Sequence, residues 1–162
     1  MEERKKLKAK AIRLLSRREY STSNLKKKLL DYGHSFSPEV SLETVESVID
    51  ELKSNGWLSD ARAVESLINQ KISRCGMIKL RVELNKLEVE HELIENYLRK
   101  IKSSEYQRAF ELLIKRYKHA TIKQKEIISQ KNYLMITRFD FNSFKRAVDD
   151  RSNQMDEKLL NE

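Results

Sequence analysis

A chain of 162 residues has the length of one domain. With 36% charged and 39% apolar residues it can bury a core, which argues against disorder along its length. Three Gly and one Pro are too few breakers for a strand-rich fold, so the expected class is all-α, and the net charge of +8 excludes an acidic chain.

That charge is unevenly placed. Residues 1–28 hold eleven basic and three acidic residues, and 29–98 hold seven and thirteen. Residues 99–131 hold ten and three, and 132–162 five and six. Two basic zones around an acidic centre suit a polyanionic or mixed-charge partner; ordinary solvated helix faces are the bland alternative.

Apolar spacing predicts about nine helices. Leu7, Ala11, Leu14 and Leu15 form the first stripe, and Leu25, Leu29 and Leu30 the second, entered through Ser21 as N-cap. Leu42, Val45, Val48, Ile49 and Leu52 form the third, with Ser37-Pro38 and Ser41 both offering a start. Gly33 and Gly56 stand where the second and third helices should end with a positive φ. Trp57 and Leu58 are expected to turn inward, Trp57 as a packing wedge between the first and second repeats, before Ser59 or Asp60 caps the fourth helix. Ala63, Val64, Leu67, Ile68 and Ile72 line that helix as far as the break at Gly76. Leu80, Leu84 and Leu87, then Leu93, Ile94, Tyr97 and Leu98, line the next two. Ser104 and Gln107 read as a capping box for a seventh helix carrying Tyr106, Ala109, Phe110, Leu113, Ile114 and Tyr117. An eighth enters at Thr121 and carries Ile127, Ile128, Leu134 and Met135, and a ninth, capped by Asp140, carries Phe141, Phe144 and Val148. Beyond Asp150 a polar, frayed tail is expected.

The helices repeat. Ala11, Ile12 and Leu15 recur as Ala63, Val64 and Leu67; Arg62-Ala63-Val64, Leu67 and Ile68 recur as Arg108-Ala109-Phe110, Leu113 and Ile114; Leu84, Val89 and Ile94 recur as Leu134, Phe139 and Phe144. Three tandem three-helix repeats follow, at residues 1–58, 59–102 and 103–150, with 151–162 as the polar tail, in an elongated and curved molecule.

Catalytic chemistry has no foothold. The three glycines stand alone, so no loop cradles phosphate, and His34, His91 and His119 lack partners at metal-ligand spacing. Neither an enzyme nor a cofactor or metal is expected. The single Cys75 cannot form an internal disulfide and reads as a buried, inert thiol. No apolar run reaches the roughly 18 residues of a membrane span, and the start lacks the apolar stretch of a signal peptide, so the expectation is a cytoplasmic protein with no membrane contact.

Three stretches carry a resemblance. AIRLLSRREYSTSNLKKKL (11–29), VIDELKSNGWLSDARAVESLINQKISR (48–74) and YLMITRFDFNSFKRAV (133–148) resemble, in the right order, the opening, central and closing patterns of the bacterial RecX regulatory proteins. The central pattern sets a Gly at Gly56, an aromatic-apolar pair, then an acid and an Arg at Asp60 and Arg62. The chain departs from the family at Asn24, where Glu is common, at Glu88 and Arg138, where Gly is common, and at Val64, often an aromatic. A positive φ at Glu88 or Arg138 would be strained.

The resemblance implies a monomeric regulator that binds the RecA recombinase, chiefly as its filament on single-stranded DNA, and restrains its ATPase, strand exchange and co-protease activity in DNA repair, recombination and the SOS response. Candidate contacts with recombinase or DNA are Arg17, Arg18, Lys26, Lys27 and Lys28 in the first basic zone and Lys115, Arg116, Lys118, Lys123 and Lys125 in the second. The alternative is a helical nucleic-acid-binding protein that contacts DNA directly through the same first and third repeats.

Overall fold

In the computed structural model, residues 2–117 and 124–160 are described, with side chains at 2–117 and 127–154. These residues form nine α-helices and a 3-10 turn, with no strand among them. The helices are α1 Glu2–Leu15, α2 Thr22–His34, α3 Leu42–Ser54, α4 Asp60–Lys71, α5 Met77–Asn85, α6 His91–Ile101, α7 Glu105–Arg116, α8 Gln124–Ile136 and α9 Phe141–Leu160. The start foreseen at Thr121, and His119, lie outside the described residues.

Two units result, one of residues 1–67 with 84–94, the other of 68–83 with 95–162. In the first, α1, α2 and α3 pack against one another over Leu7, Ala11, Leu25, Leu29, Val48 and Leu52, all but fully buried. In the second, α9 packs on α7 and α8 over Ala109, Leu113, Leu134, Phe139, Ala147 and Val148.

Short-range caps form as the residue types dictate. The Ser21 hydroxyl accepts the Asn24 amide at 3.3 Å, and Ser41, rather than Ser37, starts α3 by accepting the Thr44 amide at 3.2 Å. Ser59 accepts from Arg62, and the Asp140 carboxylate from Asn142 and Ser143.

Three N-termini also bond to carboxylates distant in sequence, α2 and α9 in addition to their local caps and α5 on its own account. The Asp60 carboxylate takes the Thr22 amide at 2.6 Å and its hydroxyl at 3.0 Å, at the start of α2. Glu105 Oε1 takes the Met77 amide at 2.8 Å, at the start of α5, and the Asp140 amide at 3.0 Å, at the entry to α9. Each acid has an arginine a few residues on that braces the preceding corner. Arg62 donates to Glu19 at 3.0 Å, and Arg108 to the carbonyls of Ile72 and Cys75 at 3.0 and 3.2 Å. The acid and arginine of the central pattern are therefore a structural staple, which orders a helix start and the turn before it.

The corners share a second device. After α3, the Gly56 amide returns to the Lys53 carbonyl and the Trp57 amide to the Leu52 carbonyl, with Gly56 at φ 69°. After α8 the same pair of bonds runs from Arg138 to Met135 and from Phe139 to Leu134, with Arg138 at φ 55°. Glu88, at φ 53°, ends α5 through its bond to Asn85. A side chain in this left-handed region is strained, by an amount that glycine avoids but partly returns through its freedom when unfolded. Arg138 is exposed and has no ion pair among the described residues, so Arg138→Gly should raise stability by about 0.5–1 kcal/mol, a Tm increase of about 1–4 °C by calorimetry.

Several expectations are corrected. Gly33 does not end α2 with a positive φ: it lies inside the helix, and a Cβ there would meet Val40 Cγ1 at 2.7 Å, so close approach is what it provides. Ser104 caps nothing. The 3-10 turn Lys102–Ser104 runs directly into α7, leaving Ser104 at φ −86°, ψ −3° rather than extended, and its hydroxyl donates to the Ile101 carbonyl. Trp57 does not turn inward; it is 48% exposed, because Leu58 takes the core position. Leu42, Ile114, Ile128, Met135 and Phe141, foreseen on apolar stripes, are exposed, as is Ile12 of the apolar repeat. Beyond Asp150 the chain is not frayed, since α9 continues to Leu160 and buries Arg151, which donates to the Tyr117 carbonyl.

Candidate functional site

The first basic zone is a surface of α1, α2 and the corner between them. Arg17 and Arg18 are exposed there, with the Arg18 guanidinium 4.5 Å from the centre of the Tyr20 ring. On α2, Lys26 pairs with Glu46 at 2.5 Å and Lys27 with Glu88, while Lys28 is exposed. Hydrogen bonds from the Lys27 ammonium and then the Ser23 hydroxyl hold the Glu88 carboxyl below its ordinary range. Among the described residues, Arg17 and Lys28 have no ion-pair partner. Exposed pairs such as Lys26–Glu46 contribute little to stability, so those lysines can still exchange partners.

Two lysines of α1 belong to the same unit and were not singled out from the sequence. Lys6 lies 5.4 Å from the Phe36 ring and Lys10 4.6 Å from the Tyr32 ring. The signal was present as matched four-residue spacings, Lys6 with Lys10 on one helix and Tyr32 with Phe36 at the end of the next. Arg4 and Lys8 instead converge on Glu51, whose carboxyl is lowered first by the Lys8 hydrogen bond, so this trio fastens α1 to α3.

In the second unit, Lys115 and Arg116 end α7, where cations complement the carbonyl end of a helix. They also border a groove of about 360 Å³ lined by Ser73, Arg74, Leu112, Lys115, Arg116 and Tyr133. A neighbouring cavity of about 250 Å³ shares Ser73, Leu112 and Lys115 and adds Ile72, Arg108 and Glu111. Arg116 lies 4.3 Å from the centre of the Tyr133 ring, and Tyr117 packs edge-on to Tyr133 at 6.2 Å. Burial lowers the pKa of the Arg108 guanidinium, and its Nη2 is buried with no hydrogen-bond partner. Lys118 and Lys123 lie outside the described residues, as does the side chain of Lys125.

The structure thus assembles Arg17, Arg18, Lys26, Lys27 and Lys28 on one unit and Lys115 with Arg116 on the other. Arg74, Arg108 and Tyr133 escaped sequence reasoning because they reach the groove from separate segments. Cys75 is buried, its thiol pushed up by desolvation and directed at the Lys71 carbonyl, 3.3 Å away. Among the described residues no cluster of three His, Cys, Asp or Glu is placed to hold a metal, and no helix is long and apolar enough to cross a membrane.

Comparison with known proteins places these features. No family model matches the chain. A regulatory protein RecX from Neisseria meningitidis serogroup C is 32% identical over 148 residues, covering 91% of this chain and 92% of the relative. The regulatory protein RecX of Ralstonia pickettii is 30% identical over 142 residues, covering 88% and 86%. Among solved structures, the crystal structure of RecX from Lactobacillus salivarius superposes with a TM-score of 0.70 over 96% of this chain and 97% of that one, at 16% identity, a likeness of fold.

Proposed function

The chain belongs to the RecX family of regulatory proteins, and from that premise we propose that it regulates the RecA recombinase. In this reading it binds the recombinase as a filament on single-stranded DNA and restrains ATP hydrolysis, strand exchange and co-protease activity. It works as a monomer in the cytoplasm, by binding rather than by covalent chemistry. The observation that carries the reading is the family match along some nine-tenths of both chains.

Charge placement supports the contact surface. A recombinase filament presents protein and phosphate together, and exposed cations such as Arg17, Arg18 and Lys28 complement either. Three tandem repeats, also part of this proposal, are supported by the staples. Asp60 with Arg62 and Glu105 with Arg108 play the same parts in two successive places, and the left-handed corners at Glu88 and Arg138 are fifty residues apart, as the apolar repeat requires.

The test is single-strand-dependent ATP hydrolysis by preformed filaments of the cognate recombinase. Wild-type protein at substoichiometric to equimolar levels should slow it. Arg17→Glu with Lys28→Glu should raise the concentration needed by about tenfold or more, since reversal turns attraction into repulsion at the contact. These positions suit the test better than Lys26 or Lys27, where reversal would also set two carboxylates against each other at Glu46 or Glu88. Unchanged hydrolysis with the wild-type protein would defeat the regulatory reading; equal inhibition by the variant would remove the first basic surface from it.

A further inference from the structure

We propose that the groove between the 72–74 turn and α7 is a binding site for single-stranded nucleic acid, with Arg74 and Lys115 holding phosphates and the Arg116–Tyr133 stack receiving a base. The inference goes beyond the regulatory reading, because it concerns the bare strand with no recombinase present.

The charge balance is one-sided. Arg74, Arg108, Lys115 and Arg116 face the two adjoining cavities, against the single carboxylate of Glu111, which already accepts a hydrogen bond from Gln107 at 2.9 Å. Arg74 and Lys115 have no ion-pair partner among the described residues, so their charge is available to a ligand. Arg108 adds a fixed positive charge, its guanidinium tied to the Ile72 and Cys75 carbonyls with Nη2 left unpaired.

A cationic groove alone would suit any polyanion; the ring plane narrows the choice. Arg116 is laid over Tyr133 at 4.3 Å, and Tyr117 at 75° to Tyr133 holds that ring by its edge. Guanidinium and phenol planes are the surfaces on which unstacked bases settle. An acidic peptide would satisfy the cations but gain nothing from the planes. A duplex keeps its bases stacked inside, and a groove of about 360 Å³ has the scale of a small-ligand pocket, enough for a base and its sugar. The flanking cations then meet the backbone of a strand that enters and leaves.

The experiment is fluorescence anisotropy of a labelled oligothymidylate titrated with the purified full chain, without recombinase, at two salt concentrations. Arg74→Glu with Lys115→Glu should weaken binding more than tenfold and flatten the salt dependence, by about 0.7 in slope for each phosphate that is no longer neutralised. Lys53→Glu with Lys102→Glu, the same charge change at exposed positions outside the groove, should cost less than threefold. Tyr133→Leu should weaken binding about tenfold and Tyr133→Phe should restore it, with circular dichroism confirming that each variant is folded. Equal losses for both charge-reversed pairs, wild-type affinity for folded Tyr133→Leu, a duplex bound as tightly as the strand, or displacement of the strand by polyglutamate at matched charge would each overturn the proposal. None of these outcomes bears on recombinase inhibition, which the ATPase assay decides separately.

Discussion

Gly76→Ala is expected to destabilise the second unit by about 3 kcal/mol, the upper end of what overpacking costs. Gly76 is buried, and its amide donates to the Thr137 carbonyl at 2.9 Å, holding the start of α5 against the corner that joins α8 to α9. A Cβ at this position would overlap the Phe139 Cα and nitrogen and the Arg138 carbonyl oxygen. All three are backbone atoms, so no rotamer change relieves the clash and the corner itself must move. At Gly33 the obstacle is the Val40 side chain, and Gly33→Ala should cost only about 1 kcal/mol. For a chain of this size, 3 kcal/mol corresponds to a fall in Tm of about 6–12 °C by calorimetry. A Gly76→Ala protein that melts like wild type would show that the approach is looser than these distances require.

Glu105→Ala is expected to cost about 2–4 kcal/mol, because it strands two amides at once. The carboxylate is 3% exposed and one oxygen serves both Met77 and Asp140, so its loss leaves two donors without water or partner. Glu105→Gln keeps a carbonyl oxygen in the same place and should retain most of that stability. The two side chains differ in how they respond to pH. Burial pushes the Glu105 carboxyl above its ordinary range against the pull of the two amide bonds, with the nearby Asp140 charge pushing the same way. The folded state therefore holds this proton more tightly than the unfolded state does. Its contribution is fully present below the ordinary carboxylate value and is lost as pH rises through the elevated one. Relative to Glu105→Gln, the wild type should lose stability over that interval, a trend that urea unfolding at a series of pH values would follow. Parallel curves for the two proteins would mean that the carboxyl titrates alike folded and unfolded.

The contrast between Ser21 and Glu105 marks how far residue order reveals this fold. Ser21, Ser59 and Asp140 cap helices two or three residues away, and such local bonds follow from residue type and the onset of an apolar stripe. The all-helical class was legible for the same reason, since Leu7, Leu25, Leu52, Leu84 and Leu134 fall on stripes of helical period and all are buried. Asp60 and Glu105 act on amides 38 and 28 residues distant, a pairing set by how the helices fold back and not by local spacing. Trp57 was misread because two adjacent apolar residues after a left-handed corner cannot both face the core; Leu58, the slimmer of the two, does. The surface cations show the same division. Arg17, Arg18 and Lys26 to Lys28 are one run of chain, visible as a charge cluster. The groove draws on residues near 73, 115 and 133, whose meeting is a property of the tertiary fold alone.

The half-exposed Trp57 has a spectroscopic consequence. It is the only tryptophan in the chain, and it stands in the first unit beside Ile12 and Leu15, with the Lys8 ammonium 6.0 Å from its ring. Intrinsic emission excited at the indole therefore reports the surroundings of α1 and the α3 corner, while far-ultraviolet ellipticity samples every helix. In a melt of Gly76→Ala the two signals should part, the ellipticity falling early and the indole emission keeping closer to its wild-type course. One native fluorophore thus makes the two halves of the chain separately observable without any added label.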